Sequence, residues 1–132
     1  MAQMIFKHLA KTVGRENDFE IDSAATDYDA IGCPIHRGTR NALIRNQIPF
    51  EEHYARKITE SDFQKFDFIL CMDDENIEHI AQDFGRKNAE KVKKLLSFCG
   101  ESRDVRDPWY THNFDETFED ILRGCTELLK SI

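Results

Sequence analysis

The chain has 132 residues, 33% of them charged and 40% hydrophobic, with a formal net charge of −7. That length carries a single domain, 1–132, with a core of ordinary size, and the composition excludes a disordered polymer. The acidic balance excludes a nucleic-acid surface, which needs a basic stripe, and no segment approaches the roughly 20 apolar residues of a membrane span. The start lacks a basic stretch followed by a long apolar one, so no secretory signal is read and the cytoplasm is the expected location.

Met1, Ile5, Leu9 and Val13 recur every four residues, with Phe6 and Ala10 beside them, and predict a helix over 1–15. The pattern is already running at the first residue, with no Ser, Thr, Asp or Asn ahead of it as a cap, as in a chain shortened at its start. Residues 19–25, FEIDSAA, alternate at first and predict a strand. Gly32, Pro34 and Gly38 mark 28–38 as a loop into a helix over 39–46, and 54–58 reads as a short extended piece. Thr59 caps a helical turn, with Asp62 in the reciprocal position where Glu is usual.

Six of the seven residues in 66–72, FDFILCM, are apolar, and Asp73, Asp74, Glu75 and Asn76 follow at once. A short apolar run between helical patterns reads as a central parallel strand buried on both faces. Ligands in such sheets bind beyond the carboxyl ends of the strands, which points to 72–76 as the neighbourhood of a site. Residues 75–84 predict a helix with Ile77, Ile80 and Ala81 inward and Gly85 as its stop. A third strand is read over 92–98, although the same residues suit an extension of the preceding helix. A loop follows over 99–113. From Asn113, paired with Glu116 in a capping-box pattern, a helix presents Phe114, Phe118, Ile121, Leu122, Cys125, Leu128 and Leu129 on one face. Strands alternating with helices give a three-layer α/β fold, a parallel sheet flanked by helices.

Cys33, Cys71, Cys99 and Cys125 are widely spaced, with no C-x-x-C pair. Reduced thiols are expected, and with five scattered histidines neither a metal site nor a cofactor is predicted.

IDSAAT at 21–26, GCPIHRGTR at 32–40, HYARKIT at 53–59, DFQKFDFILCMDDEN at 62–76 and DPWY at 107–110 resemble, in order, the low-molecular-weight phosphotyrosine protein phosphatases. The resemblance runs nearly end to end, with Cys33 where the family usually has Asn. It implies hydrolysis of phosphotyrosine proteins or aryl phosphates through a cysteinyl-phosphate. It also implies that the family's central first strand and its Cys-x5-Arg phosphate-binding loop, which precede the helix beginning here at Met1, are lacking. Six residues after the four cysteines stand Thr39, Ile77, Val105 and Ser131, none of them arginine. Cys33 to Arg40 has one residue too many, and Pro34 removes an N–H that a phosphate cradle needs.

By the same resemblance Asp107 is the general acid, and Trp109 and Tyr110 wall the cleft for a phenol ring. Asp29 stands where many members carry an aromatic on the opposite wall, and Tyr28 beside it is the candidate substitute. Ser23 and His53 match residues that brace the phosphate-binding loop. Read from the residues alone, Asp107 suits an ordinary Asp-Pro turn, the two aromatics suit a loop folded back on the core, and Asp73 to Glu75 suit a helix start. Three functions compete: a phosphatase scaffold inactive by itself, a catalytically dead binding or assembly module, and, last, an arsenate reductase, for which no cysteine pair is suitably close. The family's sheet order, 2-1-3-4, would leave 19–25 and 66–72 about 9.6 Å apart, two strand spacings. Edges so exposed predict a homo-oligomer with an exchanged element or a shared edge.

Overall fold

The computed structural model describes residues 1–132. Its architecture is built on two parallel strands, β1 (Ile69–Cys71) and β2 (Val92–Lys94), in register Ile69 to Val92 and Cys71 to Lys94. Side chains alternate across a strand, and β1 obeys that rule with a different core on each face. Leu70 and Met72 pack on a core built from α1 (Ala2–Thr12), α2 (Arg37–Arg45) and α7 (Phe114–Ser131). Ile69 and Cys71 pack on a second core with α3 (Asp62–Lys65), α4 (Asp74–Phe84) and α5 (Arg86–Ala89). The expected three-layer α/β arrangement is therefore present, with a parallel sheet of two strands.

The helices follow their apolar stripes. On α1, Met4, Ile5, Phe6 and Ala10 are buried, and α7 meets them with Phe118, Ile121, Cys125 and Leu128. Asn113 caps α7 by accepting from Glu116 N at 3.0 Å. Asp73 and Asn76 form a reciprocal capping box on α4, and Gly85, at φ 88°, ends that helix in a conformation that costs glycine little. Thr59 does not cap α3 as expected, since Ser61 stands at that position and no side chain caps it; the Asp62 carboxylate does reach back, accepting from Thr59 N at 2.8 Å and from its hydroxyl at 3.2 Å. No helix is long and apolar enough to cross a membrane.

Five expectations need correction. Residues 19–25 form no strand. Phe19 and Ile21 pack toward the first core and Ser23 bonds Gln3 on α1, so every second side chain faces one way, as in an extended chain. Only Ala25 makes a bridge, to Lys57, because no backbone lies alongside residues 19–24 to complete a ladder. The central strand is three residues, not seven, and its run is not buried throughout: Phe68 is 46% exposed. The strand read over 92–98 stops at Lys94, where a 3-10 helix, Leu95–Cys99, turns Leu95 and Leu96 into the first core. The second helix begins at Arg37 rather than 39, because His36 supplies the cap, Nδ1 accepting from Gly38 N at 3.0 Å. The loop over 99–113 also holds a short helix, α6 (Pro108–Thr111).

Two buried carboxylates tie loops to helices. Asp120 on α7 accepts from both terminal nitrogens of Arg103, at 2.7 and 2.9 Å, and from Arg123 at 3.3 Å. Asp62 is held by Arg56 in the same bidentate way, at 2.9 and 3.1 Å. Hydrogen bonds from Arg103 and from Arg56 hold the two carboxyls below their ordinary range. A depressed carboxyl contributes stability that is complete above its unfolded value, near pH 4, and is lost as pH falls through the folded one. Stability to urea should thus be level from pH 7 to about pH 5 and fall below about pH 4. Asp120→Asn should cost about 1–3 kcal/mol at pH 7 and flatten the acid limb, whereas a variant parallel to the parent at every pH would contradict this.

Gly124 supplies the second test. A Cβ there would meet Leu95 Cγ at 2.5 Å, closer than such contacts come, and Leu95 is buried. Alanine gains up to about 1 kcal/mol of helix preference over glycine, against about 1–3 kcal/mol for overpacking. Gly124→Ala should therefore lower the urea midpoint, despite improving the helix.

Candidate functional site

The carboxyl end of β1 is where loops converge. Met72 O accepts from Val105 N at 2.8 Å, which lays residues 104–107 across the strand's end. Asp104 Oδ1 accepts from Asp74 N at 3.1 Å and from Lys94 Nζ at 3.0 Å, fastening the same loop to α4 and β2. Asn76, the last residue of the 72–76 neighbourhood, joins three segments. Its Oδ1 accepts from Met72 N at 3.1 Å and Asp73 N at 3.3 Å, and its Nδ2 donates to Thr26 Oγ1 at 3.3 Å.

Asp107 stands at the rim of this end, exposed, and caps α6 by accepting from Trp109 N at 2.9 Å. Pro108 at the first helical position needs no N–H partner, which suits Asp-Pro to a helix start. Asp73 is pushed above the ordinary carboxylate range, first by burial and then by the charges of Asp104, Glu75 and Asp107. Asp107 and Asp73 therefore share one acidic neighbourhood beyond β1.

Trp109 and Tyr110 are 65% and 75% exposed. Trp109 meets the His36 ring edge-on at 5.8 Å, and His36 stacks on Phe114 at 5.2 Å. His36 thus links the DPWY loop to the start of α2, a contact between residues 73 apart in sequence that no local pattern announces. Tyr28 is 75% exposed, and its ring carries Lys57 Nζ at 5.1 Å, so it rests on Lys57 rather than on the DPWY loop. Asp29 is exposed, its N–H donating to Asp27 Oδ1 in a local turn.

Ser23 and His53 do come together, Ser23 Oγ to His53 Nε2 at 3.0 Å. Ser23 donates its own proton to Gln3 Oε1 at 2.6 Å, so Nε2 of His53 carries the proton between them. The Cys33 stretch forms no anion cradle. Cys33 O accepts from Ala55 N, Pro34 bridges Tyr54 in antiparallel fashion, and the Gly38 N–H is used by His36. Arg40 lies over the Phe50 ring at 5.4 Å. Burial pushes the Cys71 and Cys125 thiols up to about 12, and the Cys99 thiol also upward, the reverse of what a thiolate nucleophile needs. No group of three or more His, Cys, Asp or Glu side chains converges as a metal site requires.

Beside this end runs a groove of about 580 Å³. One wall is residues 18–27 and the other residues 65–72, with Ala2, Phe6, Cys125 and Leu128 from α1 and α7 on its floor. The walls run parallel. Lys65 pairs with Glu20 at 2.9 Å near their amino ends, and Asn76 reaches Thr26 near their carboxyl ends. Between those ties no backbone hydrogen bond crosses from wall to wall.

A family model described as low molecular weight phosphotyrosine protein phosphatase matches residues 1–132. The low molecular weight protein-tyrosine-phosphatase YfkJ of Bacillus subtilis is 42% identical over 134 residues, which cover 100% of this chain and 86% of that protein. The human low molecular weight phosphotyrosine protein phosphatase is 30% identical, with 98% of this chain and 85% of that protein covered. The crystal structure of YfkJ superposes with a TM-score of 0.93 over 99% of this chain and 84% of that one, at 41% identity. These 132 residues belong to the low molecular weight phosphotyrosine protein phosphatase family.

Proposed function

We propose that the chain carries the acid half of a protein-tyrosine-phosphatase site and is inactive as these 132 residues alone. The reading rests on one observation above the others: Asp107 lies beyond the carboxyl end of β1, while no Cys-x5-Arg sequence exists in the chain. In the reaction the family resemblance implies, a cysteine thiolate attacks phosphorus and the phenolate leaves with a proton. Asp107 would supply that proton, then take one from the water that attacks the cysteinyl-phosphate. The attacking thiolate and the arginine that holds the phosphate would come from the missing loop. Trp109 and Tyr110 would flank the phenol ring, with Tyr28 or Asp29 opposite. Ser23 and His53 would brace the loop, a role that here reduces to their own hydrogen bond. The missing piece would be the central strand of the sheet, which accounts for the unpaired extended segment at 19–24.

A second reading, a non-catalytic binding module, is favoured by Trp109 and Tyr110, large and mostly exposed. The two separate on one experiment. The purified chain should hydrolyse p-nitrophenyl phosphate no faster than background, and Cys33→Ser should change nothing. A chain with a strand and a Cys-x5-Arg loop added ahead of Met1 should turn it over, and Asp107→Asn should then lower kcat about 10²–10⁴-fold, most for poor leaving groups. Turnover by the unmodified chain, lost with Cys33→Ser, would overturn the reading. A rebuilt chain that folds and stays inactive would favour the binding module.

The same unpaired edges underlie a proposed self-association of the chain, by an exchanged element or a shared edge. Light scattering at micromolar concentration should give at least twice 15.4 kDa, with a Tm that rises with concentration. A 15.4 kDa species with a concentration-independent Tm would contradict it.

A further inference from the structure

Helix α6 carries Trp109 and Tyr110, yet none of its residues is buried. The chain entering it is anchored, because Val105 N donates to Met72 O at 2.8 Å and Thr117 Oγ1 donates to Arg106 O at 3.0 Å. Beyond those anchors, the ring that meets it from another segment is the imidazole of His36. Trp109 touches that imidazole edge-on, with centroids 5.8 Å apart and planes at 85°. Such pairs attract because the positive edge of one ring meets the negative face of the other. The peptide N–H of Trp109 also holds Asp107 Oδ1 at 2.9 Å and leaves Oδ2 without a partner. Fixing residue 109 therefore also fixes which oxygen of the acid stays free.

His36 can support Trp109 because it is itself held twice. Its Nδ1 accepts from Gly38 N at 3.0 Å and so caps α2, which leaves the proton of the neutral ring on Nε2. Its ring also stacks on Phe114, the first residue of α7, at 5.2 Å between centroids and 13° from parallel. Glycine at 38 makes that stack possible, since a Cβ there would overlap the Phe114 ring. Arg45 pairs with Asp115 at 2.6 Å across the same junction of α2 and α7. The imidazole thus reaches from two packed helices to an exposed one.

We propose that His36 is a positioning residue: its ring, braced on Phe114, fixes the Trp109 indole as a wall of the cleft and keeps Asp107 Oδ2 free for proton transfer. The proposal rests on the reading of Asp107 as acid and Trp109 as cleft wall, and adds the residue that holds them. Cap and ring are separable duties. Asparagine supplies an acceptor for Gly38 N without a stacking ring, and phenylalanine supplies the ring without the acceptor. His36 is exposed, so neither change opens a cavity.

Trp109 is the one tryptophan of the chain, so its emission reports on this contact. Exposed side chains that are free flip in picoseconds to nanoseconds, and time-resolved fluorescence anisotropy of the unmodified chain should show only a small component that fast. His36→Asn should enlarge that component at least about twofold and leave Tm unchanged, whereas His36→Phe should keep it small and lower Tm through the lost cap. In the chain rebuilt with a Cys-x5-Arg loop, His36→Asn should raise KM for p-nitrophenyl phosphate about two- to tenfold, more than it lowers kcat, and His36→Phe should restore KM. An equal fast component in parent and His36→Asn would overturn the proposal. So would equal loosening by both variants, which would make the cap the support, and so would a KM that His36→Asn leaves unmoved. A rebuilt chain that folds without turnover would sink the proposed function alone, since the anisotropy of the unmodified chain still decides whether His36 holds Trp109.

Discussion

The structure depends on two extended segments that run side by side with no backbone hydrogen bond between them. Lys65 and Glu20 fasten their amino ends, Asn76 and Thr26 their carboxyl ends, and Arg56 ties Asp22 to the buried Asp62 between. Strands stabilise each other by direct pairing at about 4.8 Å, and that is the interaction missing here. Closing the gap would drag α1, α7 and the second core with it. The helices are fixed by packing: α1 rests on α7 through Ile5, Phe6, Phe118 and Cys125, and interiors packed this closely resist sliding. The groove persists because the layers on either side of it are complete.

That constraint separates what was legible in the sequence from what was not. Amphipathic helices are local, so α1, α4 and α7 follow from period and caps, and Gly85 ends α4 where it should. Strands are not local. The alternation of Phe19, Ile21 and Ser23 correctly gives an extended chain, yet whether it becomes a strand depends on a neighbour that no residue in the segment encodes. The same holds for 66–72, where the apolar run is real but only three residues meet a partner. Leu95 and Leu96 read as strand continuation, and instead turn inward because α7 offers Gly124 as a seat for Leu95.

Of the candidate site, only the local grouping was legible in the same way. Asp107, Trp109 and Tyr110 are adjacent in sequence, so their grouping is automatic, and the Ser23–His53 bond appears at 3.0 Å across 30 residues. Asn76 was placed near a site only through its segment, 72–76, and His36 was missed, because their work lies in contacts to distant segments, Thr26 in one case and Trp109 in the other. Tyr28 is held by Lys57, and only three-dimensional structure shows it. The acid neighbourhood of Asp73, Asp104 and Asp107 comes from Val105 bonding the end of β1, a single backbone hydrogen bond that brings two loops into register.

The central claim is that residues 19–24 are extended, packed on one side and unpaired along the backbone. Amide hydrogen exchange read by mass spectrometry tests it most directly, at sub-micromolar chain where copies do not meet. The account predicts that peptides covering 19–24 exchange almost unprotected, while those covering β1 and α7 are slow. In the chain rebuilt with a strand ahead of Met1, 19–24 should slow by at least about tenfold, the signature of a formed ladder. Equal, strong protection of 19–24 in both chains would mean that the walls have paired by themselves, and would contradict it.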